Sequence, residues 1–110
     1  MSGSALAALK CALRAKIVNF MNFTGLIEVE DSQSRDWASA TFIGAQHRVC
    51  LRVEGPCAHH AVDALLAGLE EAEFDLGRHI LIDIALVADE RRDGGDWVRL
   101  TLDALTVIAD

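Results

Sequence analysis

The 110-residue sequence contains no tyrosine, a single proline and only 5% aromatic residues, and its bases are fewer than its acids. Ten lysines and arginines stand against 17 aspartates and glutamates, which gives a formal net charge of −7. Proteins that bind nucleic acid or anionic membranes rely largely on clustered positive charge. The charge balance therefore indicates a small acidic domain that binds neither nucleic acid nor a membrane surface.

Long apolar runs and paired cysteines are also missing. No stretch of 18 apolar residues occurs, and the first 16 residues lack the regions of a secretory signal. The three cysteines, Cys11, Cys50 and Cys57, are odd in number and have no Cys-x-x-Cys spacing. These absences predict no membrane-spanning helix, no disulfide framework and a cytoplasmic location.

Known catalytic and cofactor motifs are absent as well. The chain has no glycine-rich dinucleotide or phosphate loop, no HExxH and no GxSxG pattern. We therefore expect no cofactor, and a role other than catalysis is favoured. The hydrophobic content of 52% is sufficient for a core, and the length predicts a single domain over residues 1–110.

Hydrophobic periodicity predicts seven secondary-structure elements. Apolar residues spaced three and four apart predict helices over residues 4–23 and 56–74. Alternating apolar and polar residues predict strands over 26–30, 37–44, 47–54, 79–88 and 96–109. The polar stretch DSQSRD, residues 31–36, is predicted to be a turn, and Gly94-Gly95 to be the tip of a hairpin loop.

The order α-β-β-β-α-β-β predicts an α+β two-layer sandwich, with two helices on one face of a five-stranded, mainly antiparallel sheet. The second helix predicts a right-handed crossover that makes the third and fourth strands parallel. In this order of elements the chain resembles small acidic secretion-chaperone-like domains, although no sequence motif is shared. That resemblance implies a dimer.

The alternation assigns the strand residues to two faces of the sheet. The predicted core face carries Ile27, Val29, Ala38, Ala40, Phe42, Val49, Leu51, Val53, Ile80, Ile82, Ile84, Val98, Leu100 and Leu102. The open face is predicted to carry Glu28, Glu30, Trp37, Thr41, Ile43, Arg48, Cys50, Arg52, Leu81, Asp83, Trp97, Arg99, Thr101, Asp103 and Leu105. Two tryptophans and several aliphatic residues on an uncovered face indicate a surface for a partner or ligand.

Six residues of the open face form the candidate binding site: Trp37, Arg48, Arg52, Asp83, Trp97 and Arg99. Guanidinium groups beside aromatic rings suit an anionic small molecule or an acidic segment of a protein partner. The alternative is a structural one, in which the arginines form ion pairs across neighbouring strands with Glu28, Glu30, Asp83 and Asp103.

The stretch GPCAHHAV, residues 55–62, places Cys57, His59 and His60 at the start of the second helix. Cys57 and His60 can meet but supply two metal ligands at most, fewer than zinc sites use. A thiol nucleophile with His60 as its base is the other chemistry this spacing allows. No third orienting residue is visible, so we predict neither a metal site nor a catalytic site here.

Three functions are compatible with these features. The favoured one is a homodimeric protein-interaction module that binds through the open face of the sheet. The alternative is a small-molecule-binding protein or enzyme with a pocket on that same face. The third is metal or thiol chemistry at Cys57 and His60.

Overall fold

The computed structural model describes residues 2–19, 22–72, 74 and 76–108. The elements are α1 (Ser2–Asn19), β1 (Leu26–Ala38), β2 (Ile43–Glu54), α2 (Ala58–Ala67), β3 (His79–Arg91) and β4 (Trp97–Ile108). The strands form a four-stranded antiparallel sheet in the order β1-β2-β4-β3. Both helices contribute to one core with alternate residues of this sheet, so the α+β class and the two helices are as predicted.

The predicted number of five strands is wrong, because residues 31–36 are not a turn. They continue the first strand, which runs to Ala38 and pairs with β2 along its whole length. The chain reverses at Ser39–Phe42, where the Ser39 amide donates to the Phe42 carbonyl at 2.8 Å. Two strands rather than three therefore precede α2, and the order of elements differs from that of the secretion-chaperone-like domains.

The predicted parallel direction of the third and fourth strands is confirmed for their counterparts, β2 and β3. Strands β2 and β3 run in the same direction, but β4 lies between them and pairs antiparallel with both. In the hairpin of β3 and β4, β4 pairs with β2 and β3 forms the edge of the sheet. Every neighbouring pair of strands is consequently antiparallel.

The core lies between the helices and the two central strands. Val49, Leu51 and Val53 of β2 face Leu102, Leu100 and Val98 of β4 in register, and all six are at most 1% exposed. Helix α1 packs against β1 and β2, and α2 packs against β2 and β4. The predicted core face is confirmed for these two strands, and for Ile27 and Ile84 on the edges.

Residues at the ends and edges of the sheet depart from the predicted core. Ala38, Ala40, Phe42, Ile80 and Ile82 are exposed, whereas Leu81, predicted on the open face, packs partly buried against the core. Bulges interrupt the pairing between Val29 and Asp31, between Leu81 and Asp83, and between Leu86 and Ala88. Each bulge inserts an unpaired residue and changes which residues point to which face.

The helices differ from their predicted lengths. α1 ends at Asn19, and Phe20 lies outside the described residues, whereas Phe23 is buried beyond the helix. α2 is ten residues long and ends at Ala67, although Leu69 and Leu76 in the following loop remain buried. No helix in the described part of the chain is long and apolar enough to cross a membrane.

Candidate interaction surface

The sheet face opposite the helices, called the open face below, is built from alternate residues of four strands. On the central strands it presents Gln46, Arg48, Cys50, Arg52, Arg99, Thr101, Asp103 and Leu105. Cross-strand pairing arranges these side chains in rows, such as Arg48 opposite Asp103 and Gln46 opposite Leu105. Neighbouring strands lie about 4.8 Å apart, so each row spans about 14 Å from β1 to β3.

The six candidate binding residues do not converge on one point of this face. Trp97 pairs with Glu54 at one end of β2, and Trp37 pairs with Gly44 at the other end. Ten residues of extended strand separate these positions by about 33 Å. Arg48 lies between the two ends, and Asp83 lies on the edge strand β3.

Trp97 is covered by its own chain. Its ring lies 4.1 Å from the Arg92 guanidinium and 5.1 Å from that of Arg99, and only 9% of the residue is exposed. Two guanidinium groups this close to the ring leave little of it for another molecule. The open face therefore offers a partner little of Trp97.

Arg52 and Arg99 are engaged with carboxylates of neighbouring strands. Arg99 Nε donates to Glu30 Oε1 at 2.6 Å, and Arg52 Nη2 donates to Glu28 Oε2 at 2.9 Å. The hydrogen bond from Arg99 lowers the pKa of Glu30 below its ordinary value. Glu30 lies at the bulge of β1, which explains how its side chain reaches two arginines. Both arginines at this end of the open face are therefore occupied by carboxylates of the same chain.

Arg48 is engaged in the same way near the middle of the face. Its Nε and Nη2 atoms donate to the two carboxylate oxygens of Asp103 at 2.7 and 2.8 Å. This bidentate bond raises the pKa of Arg48 and lowers the pKa of Asp103. The structure thus contains the ladder of ion pairs that was the alternative to a ligand site, with Glu28, Glu30 and Asp103 as its acids.

One row of the open face carries two charges outside this ladder. Arg35 of β1 pairs with Gln46, which pairs with Leu105, which pairs with Asp83 of β3. Neither Arg35 nor Asp83 has an ion pair with another residue among those the structure describes. This row and the Arg48–Asp103 row line a shallow groove of about 650 Å³. The sequence did not single out Arg35 because it lies in the stretch predicted to be a turn.

Exposed apolar residues gather where β1 turns into β2. We call this region the apolar end; it comprises Trp37, Phe42, Ile43 and Ile80, of which the last three are 55%, 62% and 50% exposed. The Trp37 ring lies against Gly44, where any side chain would meet Trp37 Cε2 and Nε1 at 3.0 Å. Trp37 is the candidate site residue that this region contains, and it is half-buried there.

The Cys-His-His stretch holds α2 against the β3–β4 hairpin. The His59 amide donates to the Gly95 carbonyl at 3.1 Å, and His59 Nε2 lies 3.2 Å from the Trp97 carbonyl oxygen. Cys57 is the N-cap of α2 and is exposed, as is His60. Over the described residues, no three His, Cys, Asp or Glu side chains are grouped closely enough to hold a metal ion.

The remaining histidines approach each other at the apolar end of the sheet. His47 lies on β2 and is 2% exposed, and both of its ring nitrogens have hydroxyl partners, Ser34 and Thr106. Burial lowers the pKa of His47, and the charge of nearby His79 lowers it further. Neither histidine is a candidate site residue, although His47 has the same parity along β2 as the buried Val49.

Comparison with known proteins identifies the fold and no family. No protein-family model and no curated protein matches the chain. A solved structure that resembles it is a chain from the virion of a native gene transfer agent (GTA) particle, with 15% sequence identity and a TM-score of 0.54. The similarity covers 94% of this chain and 96% of that one. At this identity the similarity establishes a shared fold.

Proposed function

We propose that the chain is a structural subunit that binds further copies of itself as part of a virion-like particle. The observation that carries this proposal is the fold, which is similar over nearly the full length of both chains to a component of such a particle. A virion is built by repeated contacts between protein subunits. A small acidic domain with exposed apolar residues and no recognised catalytic motif suits that role.

The smallest assembly of this kind is a homodimer in which two copies meet through the open face. The half of the face that contains Trp97 is a poor candidate for the contact, because its arginines are already bound to carboxylates of the same chain. The half near the turn between β1 and β2 contains the groove and adjoins the apolar end. Exposed apolar groups at one end of the sheet favour burial against another protein surface.

Sedimentation of the purified chain at micromolar concentration tests self-association. We expect a mass at least twice the 11.9 kDa of the chain, with cytoplasmic ionic strength and reducing conditions in the buffer. A single 11.9 kDa species throughout the concentration range would contradict the proposal.

Three variants locate the contact. Ile80→Asp and Trp37→Ser change exposed or half-buried residues of the apolar end that share one row of the open face, and we expect both to shift the chain toward monomer. Val18→Asp is the matched control, because Val18 is 40% exposed but lies on α1, on the other side of the sheet. If Val18→Asp dissociates the assembly and the other two do not, the helices rather than the open face form the contact.

A further inference from the structure

Arg35 and Asp83 are opposite charges at the two edges of one row of the sheet. The row runs Arg35, Gln46, Leu105, Asp83, and the two outer side chains line the same groove on the open face. They lie too far apart to bind each other, since three strand spacings of about 4.8 Å separate them. In the described part of the chain, neither has an ion pair. Each therefore has a free charge that faces away from the helices.

We propose that a second copy of the chain packs on the open face about a two-fold axis that runs along the strands, so that Arg35 of each copy binds Asp83 of the other. This inference rests on the proposed function, and it specifies the partner and the register of the contact. A two-fold axis along the strands exchanges left and right across the sheet, which places β1 above the partner's β3. Because such an axis allows no sliding along itself, each row faces the same row of the partner.

The alternative axis, across the strands, is disfavoured by charge. It places β1 above the partner's β1, and when the axis passes through this row Arg35 faces Arg35 and Asp83 faces Asp83. Like charges brought together across an interface oppose association, whereas opposite charges fix orientation. For a chain with a formal net charge of −7, association already has to overcome repulsion between copies. The two ion pairs between copies offset part of that repulsion.

The neighbouring rows agree with the same arrangement. On one side Arg48 faces the partner's Asp103, so the bidentate pair within each copy becomes a cluster of two arginines and two aspartates. On the other side Trp37 faces the partner's Ile80, so these two apolar side chains cover each other. Further along the face, Glu28 would meet the partner's Glu90, and this repulsion confines the contact to the half near the β1–β2 turn.

Charge reversal provides the test. Arg35→Glu and Asp83→Lys each replace two attractions per dimer with two repulsions, and we expect the dissociation constant to rise by about tenfold or more. The double variant R35E/D83K restores opposite charges, so its dissociation constant should return toward that of the unmodified chain. A mixture of the two single variants should form heterodimers in preference to either homodimer, because both of their ion pairs are then matched.

Two controls separate this pairing from a general effect of net charge. Arg14→Glu changes an exposed residue of α1, and Asp93→Lys changes an exposed residue of the β3–β4 loop, with the same alterations in net charge. We expect these variants to associate as the unmodified chain does, with unchanged circular dichroism in all variants. The pairing is refuted if the double variant dissociates as much as the singles, or if the controls dissociate equally.

The two proposals fail in different ways. If the unmodified chain is a monomer, self-association is wrong and the proposed function falls with it. If the chain associates and the charge reversals leave its dissociation constant unchanged, only the register of the contact is wrong. Association into a species whose mass is an odd multiple of the chain mass would also contradict the two-fold axis.

Discussion

His47 Nε2 lies 2.9 Å from Thr106 Oγ1, while Nδ1 of the same ring lies 2.7 Å from Ser34 Oγ. The imidazole therefore joins β1, β2 and β4 through side chains alone. His47 is 2% exposed, and a buried polar ring stabilises a fold only when its nitrogens have partners. In this arrangement the neutral ring is satisfied at both nitrogens, since one hydroxyl can donate to it and the other can accept from it.

We expect the stability of the fold to fall as the pH drops below the ordinary His pKa of 6.5. Burial lowers the pKa of His47 in the folded state, so the unfolded chain takes up a proton first and is stabilised by it. The contribution is complete above pH 6.5 and is lost as the pH falls toward the lowered pKa. Urea unfolding between about pH 8 and about pH 5 measures it.

The variant His47→Gln isolates this contribution. Glutamine keeps an amide in place of the ring but takes up no proton in this range, so the pH dependence of the unfolding free energy should become shallower. The carboxylates whose pKa is lowered, such as Glu30 and Asp103, lose their contribution only at more acidic pH. An unchanged slope in His47→Gln would show that other groups cause the pH dependence.

The sequence predicts the central strands well because they are buried on one face only. β2 and β4 alternate strictly, so Val49, Leu51 and Val53 identify the covered face and Arg48 and Arg52 the open one. β1 lacks such a pattern beyond Val29. The bulge there changes which residues point to each face of the sheet, and most residues after it are exposed. Polar residues on an exposed edge strand look like a turn in the sequence, and the strand count was overestimated for that reason.

The topology and the candidate site depend on contacts that local patterns do not encode. Nothing within β3 or β4 specifies which of the two pairs with β2, so the placement of β4 in the sheet could not be deduced from periodicity. The alternation of side chains placed Trp37 and Trp97 on one face. How far apart they lie follows only from the register, in which Trp37 pairs with Gly44 and Trp97 with Glu54, at the two ends of β2. The ion pairs of Arg52 and Arg99 could not be predicted for the same reason, because the register determines which carboxylates lie beside them.

Truncation of two apolar residues that the sequence assigns to one core should have very different effects. Leu100 is fully buried, whereas Ile82 lies at a bulge of β3 and is 54% exposed. We expect Leu100→Ala to reduce the unfolding free energy by about 3 kcal/mol and Ile82→Ala by less than about 1 kcal/mol. Urea unfolding at one protein concentration compares them. Equal losses would mean that Ile82 is covered.

A side chain at Gly44 should destabilise the fold, because the Trp37 ring lies against this position. A Cβ at this position would contact the Thr106 carbonyl oxygen on β4 and the indole of Trp37. We expect Gly44→Ala to cost about 1–3 kcal/mol of unfolding free energy and to red-shift the tryptophan emission, as the Trp37 ring is displaced into water. Gly68→Ala is the control, since nothing lies within 4 Å of its added carbon. The interpretation fails if both variants are equally stable.

Cys57 has a left-handed backbone conformation, with φ 71° and ψ 17°, at the N-cap of α2, where its side chain makes no capping hydrogen bond. A side chain in this region costs roughly 1 kcal/mol, because its Cβ crowds the following carbonyl oxygen. We therefore expect Cys57→Gly to be more stable than the unmodified chain by up to about 1 kcal/mol, and Cys57→Val to be less stable, since branching at Cβ increases the crowding.

Asn22 is the matched comparison for Cys57, with a similar φ of 55°. Asparagine adopts this conformation more readily than other residues with a side chain, so Asn22→Gly should gain less stability than Cys57→Gly. Urea unfolding under reducing conditions measures all three variants without interference from thiol oxidation. A loss of stability in Cys57→Gly would instead mean that the thiol makes a contact that stabilises the start of α2, and that its position is maintained for that contact despite the backbone strain.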